Sequence, residues 1–293
     1  MQCLHAAKHE LRSLSPASTD PSTDLAGTED YRISPQGSRK QGGSPQLFNM
    51  DLKGKVALVT GAGRRLGRAI ALALADRGAI LAIHYRSSRA EAAAVMAQIE
   101  GAGGRAKCFN ANLEDIGEIE RMIAQVIADF GRIDVLVNSA SIFVRKPLAE
   151  VSDRDWDLHL DTNLKAPFFL AKLAAPSMRQ NGAGKIINLG DWAGIRPFKD
   201  YIPYSVSKAG LIGLTRALAK ALAPEVQVNC IALGPVMPPD DYDAAEIERL
   251  RKATLTKRLG TPEDVARAVL FLCEGTDFAT GTTLMLEGGR ILS

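Results

Sequence analysis

From residue 55 onward, short unbroken apolar runs alternate with longer stretches in which apolar residues recur every three or four positions. The unbroken runs predict strands at 55–60, 80–85, 105–110, 133–137, 185–189, 226–233 and 283–287. The periodic stretches predict helices at 68–77, 89–100, 114–130, 153–180, 203–222, 246–252 and 262–274, with a looser segment at 234–245. Strands of a sheet with one wet face would alternate apolar and polar residues, and these do not. The pattern therefore predicts an α/β fold: a doubly wound, Rossmann-type parallel sheet with right-handed crossovers and helices on both faces. Neither a second core nor a repeat is visible, so residues 50–293 read as one domain.

Residues 1–49 break this pattern. They are rich in Ser, Pro, Thr and Gly, and their five basic and five acidic residues cancel. Such a segment cannot bury enough surface to offset the entropy of ordering, and a disordered tail is expected. It lacks the apolar core of a secretory signal and the Arg-rich, acid-poor pattern of a transit peptide. The regular pattern begins immediately after Met50, which is a candidate start.

Composition adds exclusions. A formal net charge of +3 over 293 residues does not suggest nucleic acid, and no apolar run is long enough to cross a bilayer. Cys3, Cys108, Cys230 and Cys273 form no CxxC pair, which fits free thiols in a reducing, cytoplasmic compartment. Of four histidines only His84 and His159 lie beyond the tail, so no metal site is expected.

Two stretches carry chemistry. The turn from Gly61 to Gly67 lies between the first strand and the first helix, where backbone N–H groups and the helix dipole favour a phosphate. Tyr204 and Lys208 stand four apart on one helical face. A phenol with a pKa near ~10 is a weak acid and base at neutral pH, and a neighbouring ammonium is expected to lower that value. Taken alone, the pair also fits ordinary helix surface.

Together these residues resemble the short-chain dehydrogenase/reductase family. The markers occur in the family's order: Thr60-Gly61 to Gly67, Asn138-Ser139-Ala140, Asn163, Tyr204 and Lys208, then Gly234-Pro235. The resemblance spans 50–293. It implies a nicotinamide cofactor, Tyr204 as proton donor, Lys208 holding the nicotinamide ribose and lowering the Tyr204 pKa, and Asn163 positioning a water relay. The implied cofactor residues are Gly61, Arg64, Arg65, Leu66, Gly67, His84, Tyr85, Arg86, Ser87, Asn112, Leu113, Asn138, Ala140, Tyr204, Lys208, Gly234 and Pro235. A homotetramer is implied too, its interface formed by the long helices around Asn163 and Tyr204.

Two departures are informative. Arg65 stands where the family's glycine motif commonly has Gly, and Asp191 stands where it commonly has a Ser, thirteen residues before Tyr204. Both look like the pteridine reductase branch, as does Phe143, which there would stack on a pterin. On this resemblance Arg65, Phe143, Asp191 and Tyr204 contact substrate. At the end of the second strand an acid would bind a ribose diol, whereas His84, Tyr85, Arg86 and Ser87, with Arg64 nearby, suit a 2′-phosphate, so NADPH is the expected cofactor. A carboxylate cannot donate to a carbonyl and repels a developing alkoxide, whereas a pterin's ring nitrogens and N–H groups suit a carboxyl. Phe143, between Ile142 and Val144, also fits a core aromatic, and His159 and Asp161 fit helix surface.

The expected function is NADPH-dependent reduction of a pterin or folate ring. The alternatives are an NADPH-dependent carbonyl reductase acting on a 3-oxoacyl thioester or small ketone, and a non-catalytic NADP(H)-binding sensor. A sensor has no need of the Tyr204, Lys208 and Asn163 set. A chain beginning at Met50 is expected to keep the melting temperature and turnover of the full chain. A substantial fall in either would show that the tail packs on the domain.

Overall fold

The computed structural model describes residues 49–238 and 242–293. Apart from Asn49, the expectation for the tail lies outside the described residues.

Seven strands form one parallel sheet: β1 (Val56–Val59), β2 (Ile80–Tyr85), β3 (Ala106–Asn110), β4 (Val135–Asn138), β5 (Gly184–Asp191), β6 (Val226–Leu233) and β7 (Thr283–Leu286). Their order is β3-β2-β1-β4-β5-β6-β7. The helices are α1 (Arg65–Asp76), α2 (Arg89–Gly101), α3 (Ile116–Phe130), α4 (Asp153–Leu160), α5 (Ala166–Gln180), α6 (Ile202–Leu222), α7 (Ala244–Ala253) and α8 (Pro262–Leu270). Successive strand residues point to opposite faces. In β1, Ala57 and Val59 pack with α1, α2 and α8 through Ile70, Leu74, Val95 and Val265. Val56 and Leu58 pack on the other face with α3 and α5 through Ile119, Ile123, Leu170 and Ala174. Burial on both faces is why the strands read as unbroken apolar runs.

The strand order reverses between β1 and β4. The chain runs from β1 to β2 and β3 on one side, then returns to lay β4 on the other. At such a switch point the two outgoing loops diverge and leave a crevice at the carboxyl ends of the strands. Thr60 and Gly61 leave β1 there, and Ser139 and Ala140 leave β4. Thr60 Oγ1 accepts from the N–H groups of Ser139 and Ala140, at 2.9 and 3.0 Å, and ties the two loops together.

Two expected helices contain π-turns: the stretch 262–274 is α8 followed by one at Phe271–Gly275, and the other lies inside a longer stretch. The stretch 153–180 is α4, a π-turn at Asp161–Lys165, and α5. The π-turn contains Asn163, so the residue sits in a widened turn instead of a regular helix. The apolar period continues through it, which is why periodicity reads one element. His159, expected on the surface, is buried, with Nδ1 at 2.7 Å from the Asp155 carbonyl. Asp161 does lie toward solvent, paired with Lys165 at 3.0 Å.

Candidate active site

The carboxyl ends of the strands open into a cleft of about 660 Å³. It brings together Gly61, Arg64, Arg65, Leu66, Gly67, Arg86, Ser87, Asn112, Leu113, Ala140, Phe143, Asp191, Tyr204, Lys208, Gly234 and Pro235. Most of the residues singled out from the sequence thus share one cavity.

Its first half is a close backbone surface. Gly61 has φ +65, and a Cβ there would approach Ala140 Cα to 3.1 Å. At Gly67 a Cβ would lie 2.3 Å from the Gly61 carbonyl oxygen, so only glycine lets α1 leave the turn this tightly. No side chain caps α1, and its first turn carries no acid, whereas α3, α4, α7 and α8 are each capped by a side chain. The free N–H groups and the tight glycines fit the phosphates of a dinucleotide. Arg65 takes up the left-handed region, φ 49, where a glycine would sit without strain. Its guanidinium donates to the carbonyl oxygens of Met237 and, at 3.3 Å, of Pro238, tying the start of α1 to the segment after β6. The Arg65 side chain thus meets backbone carbonyls on the far side of the cleft.

Three expected cofactor contacts take other positions. His84 lines the cleft as a buried side chain, but neither ring nitrogen is available to a phosphate. Nδ1 accepts from the Gly61 N–H at 3.0 Å, and Nε2 faces the Ala111 carbonyl at 3.1 Å. The imidazole is therefore neutral and protonated on Nε2. Burial lowers its pKa to about 4. Tyr85 packs against the apolar core. Asn138 is buried, donating to Asn188 Oδ1 at 2.8 Å. Tyr85 and Asn138 each end a strand, where a one-residue step decides whether a side chain faces the cleft or the core. Arg86 does line the cleft, but its guanidinium meets Glu114 at 3.0 Å. Glu114 also accepts from Arg154, at 2.6 Å, and Arg64 pairs with Glu91.

The second half of the cleft holds the titratable groups. Asp191 ends β5, Tyr204 lies in the first turn of α6, and Lys208 follows one turn on. Tyr204 Oη donates to Asp191 Oδ2 at 2.8 Å, and Asp191 Oδ1 accepts from the Ala193 N–H at 2.7 Å. Lys208 Nζ donates to the Leu189 carbonyl at 2.8 Å and lies 5.6 Å from the centre of the Tyr204 ring. Desolvation raises the Asp191 pKa to about 6, opposed by the Ala193 N–H, Tyr204 and Lys208. Tyr204 is pushed well above 10, by burial first and then by Asp191. The expectation that Lys208 lowers the phenol is therefore overturned. The carboxyl accepting from the phenol, and the loss of water around it, outweigh an ammonium more than a hydrogen bond away. Lys208 itself is lowered by burial, with Asp191 acting the other way.

Asn163 is committed to protein partners. Its Oδ1 accepts from the Ile142 N–H at 2.8 Å, and its Nδ2 donates to the Ile142 carbonyl at 2.9 Å and to Ser207 Oγ at 3.1 Å. Instead of offering its amide to a water relay, the side chain pins the loop after β4 to α6. That loop carries Phe143, which is 38% exposed and belongs to the cleft wall instead of the core. Its ring stacks on Tyr201, with centroids 4.3 Å apart and planes 12° apart, and meets the Tyr204 ring edge-on at 4.7 Å. Trp192, buried, continues this aromatic wall through Phe198 at 5.2 Å.

Sequence reasoning left Ser207 and Tyr201 out of the site. Ser207 Oγ links Asn163 to the Tyr204 carbonyl, to which it donates at 2.7 Å. Its place between Tyr204 and Lys208 was the available signal. Nothing in the spacing marks Tyr201. Among the described residues no group of side chains could hold a metal ion, and no helix is long and apolar enough to cross a membrane.

A family model described as enoyl-(acyl carrier protein) reductase matches residues 61–290. The 3-oxoacyl-(acyl-carrier-protein) reductase FabG of Staphylococcus aureus is 37% identical over 244 residues, covering 81% of this chain and 98% of that one. A short chain dehydrogenase from Burkholderia cenocepacia, in complex with NADP, superposes with a TM-score of 0.77 at 34% identity, covering 83% of this chain and 100% of that one. A blue fluorescent protein from a metagenomic library, in complex with NADPH, also gives a TM-score of 0.77 at 34% identity, covering 82% and 99%. These names back the carbonyl alternative above the pterin reading.

The raised Asp191 pKa has a thermodynamic signature. Between 3.8 and about 6 the folded chain holds a proton that the unfolded chain releases, so this group's contribution to stability falls as pH rises through that window. Compared with Asp191→Asn, the unfolding free energy of the native chain should drop between those pH values, by about 3 kcal/mol at most. Urea titrations at several pH values read this difference. No difference over this window, with a rise confined to pH values below 3.8, would mean that the carboxyl is held below its ordinary range.

Proposed function

The chain belongs to the short-chain dehydrogenase/reductase family, and we propose that it is an NADPH-dependent reductase in which Tyr204 and Asp191 deliver the proton. The observation that carries this reading is the 2.8 Å hydrogen bond between Tyr204 Oη and Asp191 Oδ2, in the same cleft as the glycine turn. NADPH, when bound, supplies the hydride. Gly61, Leu66, Gly67, Asn112, Leu113, Ala140, Gly234 and Pro235 would hold the dinucleotide, with Lys208 at its ribose. Arg64, Arg86 and Ser87 would face the 2′-phosphate, Arg86 exchanging the Glu114 carboxylate for it. The NADP and NADPH complexes of the two similar structures support this choice.

Proton delivery follows from the charges. Tyr204 gives its proton to the substrate atom that becomes negative. A tyrosinate beside an ionised Asp191 would set two negative charges in hydrogen-bond contact, which a desolvated site disfavours. In the working form Asp191 is the carboxylic acid and the bond runs the other way, its Oδ2–H donating to Tyr204 Oη, so its proton passes to Tyr204 as Tyr204 gives its own to the substrate. One proton reaches the substrate, and Asp191 is left ionised near the Lys208 ammonium. Asn163 and Ser207 keep the loop and the helix in register while this happens.

The substrate reading that the relatives support is a carbonyl of the 3-oxoacyl thioester kind. A specific observation favours a second reading, a C=N bond in a flat heterocycle such as a dihydropterin or dihydrofolate. A carboxyl replaces the family's usual hydroxyl next to an aromatic wall of Phe143, Tyr201 and Trp192. Cys108, Cys230 and Cys273, free thiols among the described residues, support a reducing, cytoplasmic setting. A homotetramer belongs to the same reading, since Trp156, Phe168 and Val206 expose apolar surface on α4, α5 and α6 that other copies would cover.

Two experiments test this. Arg86→Ala should weaken NADPH binding by roughly 1.5–3 kcal/mol, the scale of a charge-assisted hydrogen bond, and leave NADH binding almost unchanged. Equal losses for both cofactors would remove Arg86 from the 2′-phosphate site. The second follows NADPH oxidation by absorbance, with a 3-oxoacyl thioester, dihydropterin and dihydrofolate side by side. Tyr204→Phe should lower turnover by about 10²–10⁴ with whichever substrate is used. Asp191→Ser should sharply lower turnover of the dihydropterin if the substrate is a ring. On the carbonyl reading it restores the family's usual hydroxyl and should preserve or raise turnover of the thioester, which would leave Tyr204 as the proton donor without Asp191. NADPH oxidation with none of the three would defeat both readings.

A further inference from the structure

Every cleft arginine discussed so far already has a protein partner. Arg64 and Arg86 meet carboxylates, and Arg65 meets backbone carbonyls. Arg249, on α7, and Arg290, after β7, line the same cleft, and no carboxylate of the described residues pairs with either. The Arg290 guanidinium lies over the Trp192 ring at 4.9 Å, and its Nη1 is buried with no hydrogen-bond partner. Trp192 adjoins Asp191, so this guanidinium sits one residue away from the proton-delivering pair. Its pKa is lowered by burial first, then by Arg196 and Arg249, and no acid offsets them. Arg196 donates to a main-chain oxygen of Ser293 at 3.0 Å.

We propose that Arg249 and Arg290 form a carboxylate-binding subsite, so that the substrate reduced at Tyr204 carries an anionic group away from its reducible bond. The proposal rests on the reductase reading and adds to it the charge of the substrate. Guanidinium groups that repel one another without a counter-ion are a cost in the free protein, and an oxyanion turns that cost into binding. A guanidinium stacked on an indole keeps its in-plane N–H edge for a two-point contact, which the paired oxygens of a carboxylate match. The arrangement is separate from the 2′-phosphate region, because Arg64 and Arg86 lie beside β1 and β2 whereas Arg290 follows β7 at the other end of the sheet.

The test compares matched substrates at saturating NADPH: 3-oxohexanoate with its ethyl ester, and dihydrofolate with dihydrobiopterin. kcat/KM is measured for the native chain, Arg249→Met, Arg290→Met and Arg290→Lys. In whichever pair is reduced, the anionic member should be preferred by roughly tenfold or more, the scale of one charge-assisted contact. Both Met variants should lower that preference by about tenfold, and Arg290→Lys should restore part of it. Methionine keeps an apolar stem over Trp192, so lost packing alone would affect both members of a pair equally. Equal loss for both members, an unchanged ratio, or a matching loss of NADPH affinity would each overturn the subsite. If neither pair is reduced, the reductase reading has failed and the subsite is read separately. Calorimetry then follows 3-oxohexanoate and dihydrofolate binding to the NADP⁺-loaded chain. Binding that disappears in Arg290→Met sustains the subsite, and binding that is equal in both chains or absent from the native chain removes it.

Discussion

A parallel sheet buried on both faces can meet solvent and ligand only at the ends of its strands. That constraint organises this molecule. With β1 and Leu58 sealed beneath α3 and α5, and Val59 beneath α1 and α2, the chain has no free sheet face on which to build a site. Chemistry is confined to the rim where β1, β4, β5 and β6 stop. The rim is narrow, so one residue of register separates Asn138, turned into the core, from Ser139 in the cleft. Thr60, Asn163 and Ser207 are the fasteners that keep the rim in that register, each bonding a loop to an element leaving another strand.

Desolvation decides the chemistry at the rim. Tyr204, Asp191 and Lys208 lose water together, and each is moved toward its neutral form by that loss. The hydrogen bond between phenol and carboxyl then has a direction: it makes Tyr204 a reluctant acid until a stronger base arrives beside it. Such a site stays quiet without substrate and transfers a proton when negative charge develops on one.

The fold was legible because burial on both faces leaves an unmistakable pattern. β2 and β6 begin and end at the residues where their apolar runs do. The membership of the cleft was legible too, since motif order along the chain fixes which strand ends carry which residues. The π-turn at Asp161–Lys165 was not, because a widened turn keeps the apolar period nearly intact. The orientations of Tyr85 and Asn138 were also hidden, since a strand-end residue has two faces to choose from and no periodicity beyond it, and so were the backbone partners that occupy both ring nitrogens of His84. The direction of the Tyr204 shift depends first on burial and then on a carboxyl thirteen positions away, and spacing on a helix reveals neither. Arg249 and Arg290 belong to no motif and become visible only when the cleft is assembled around them.

The imidazole of His84 joins the ends of three neighbouring strands, and it can do so only while neutral. Its folded pKa of about 4 lies below the ordinary 6.5, so its share of stability grows as pH rises across that interval. Asp191, displaced upward from 3.8 to about 6, loses stability over nearly the same interval. The two slopes are opposite in sign and similar in size. A plot of melting temperature against mild acidity can therefore be almost level while the proton-delivering carboxyl passes from one charge to the other. Robustness to acid and constancy of the active site are separate properties, and the cancelling contributions of these two groups can conceal a site that is titrating.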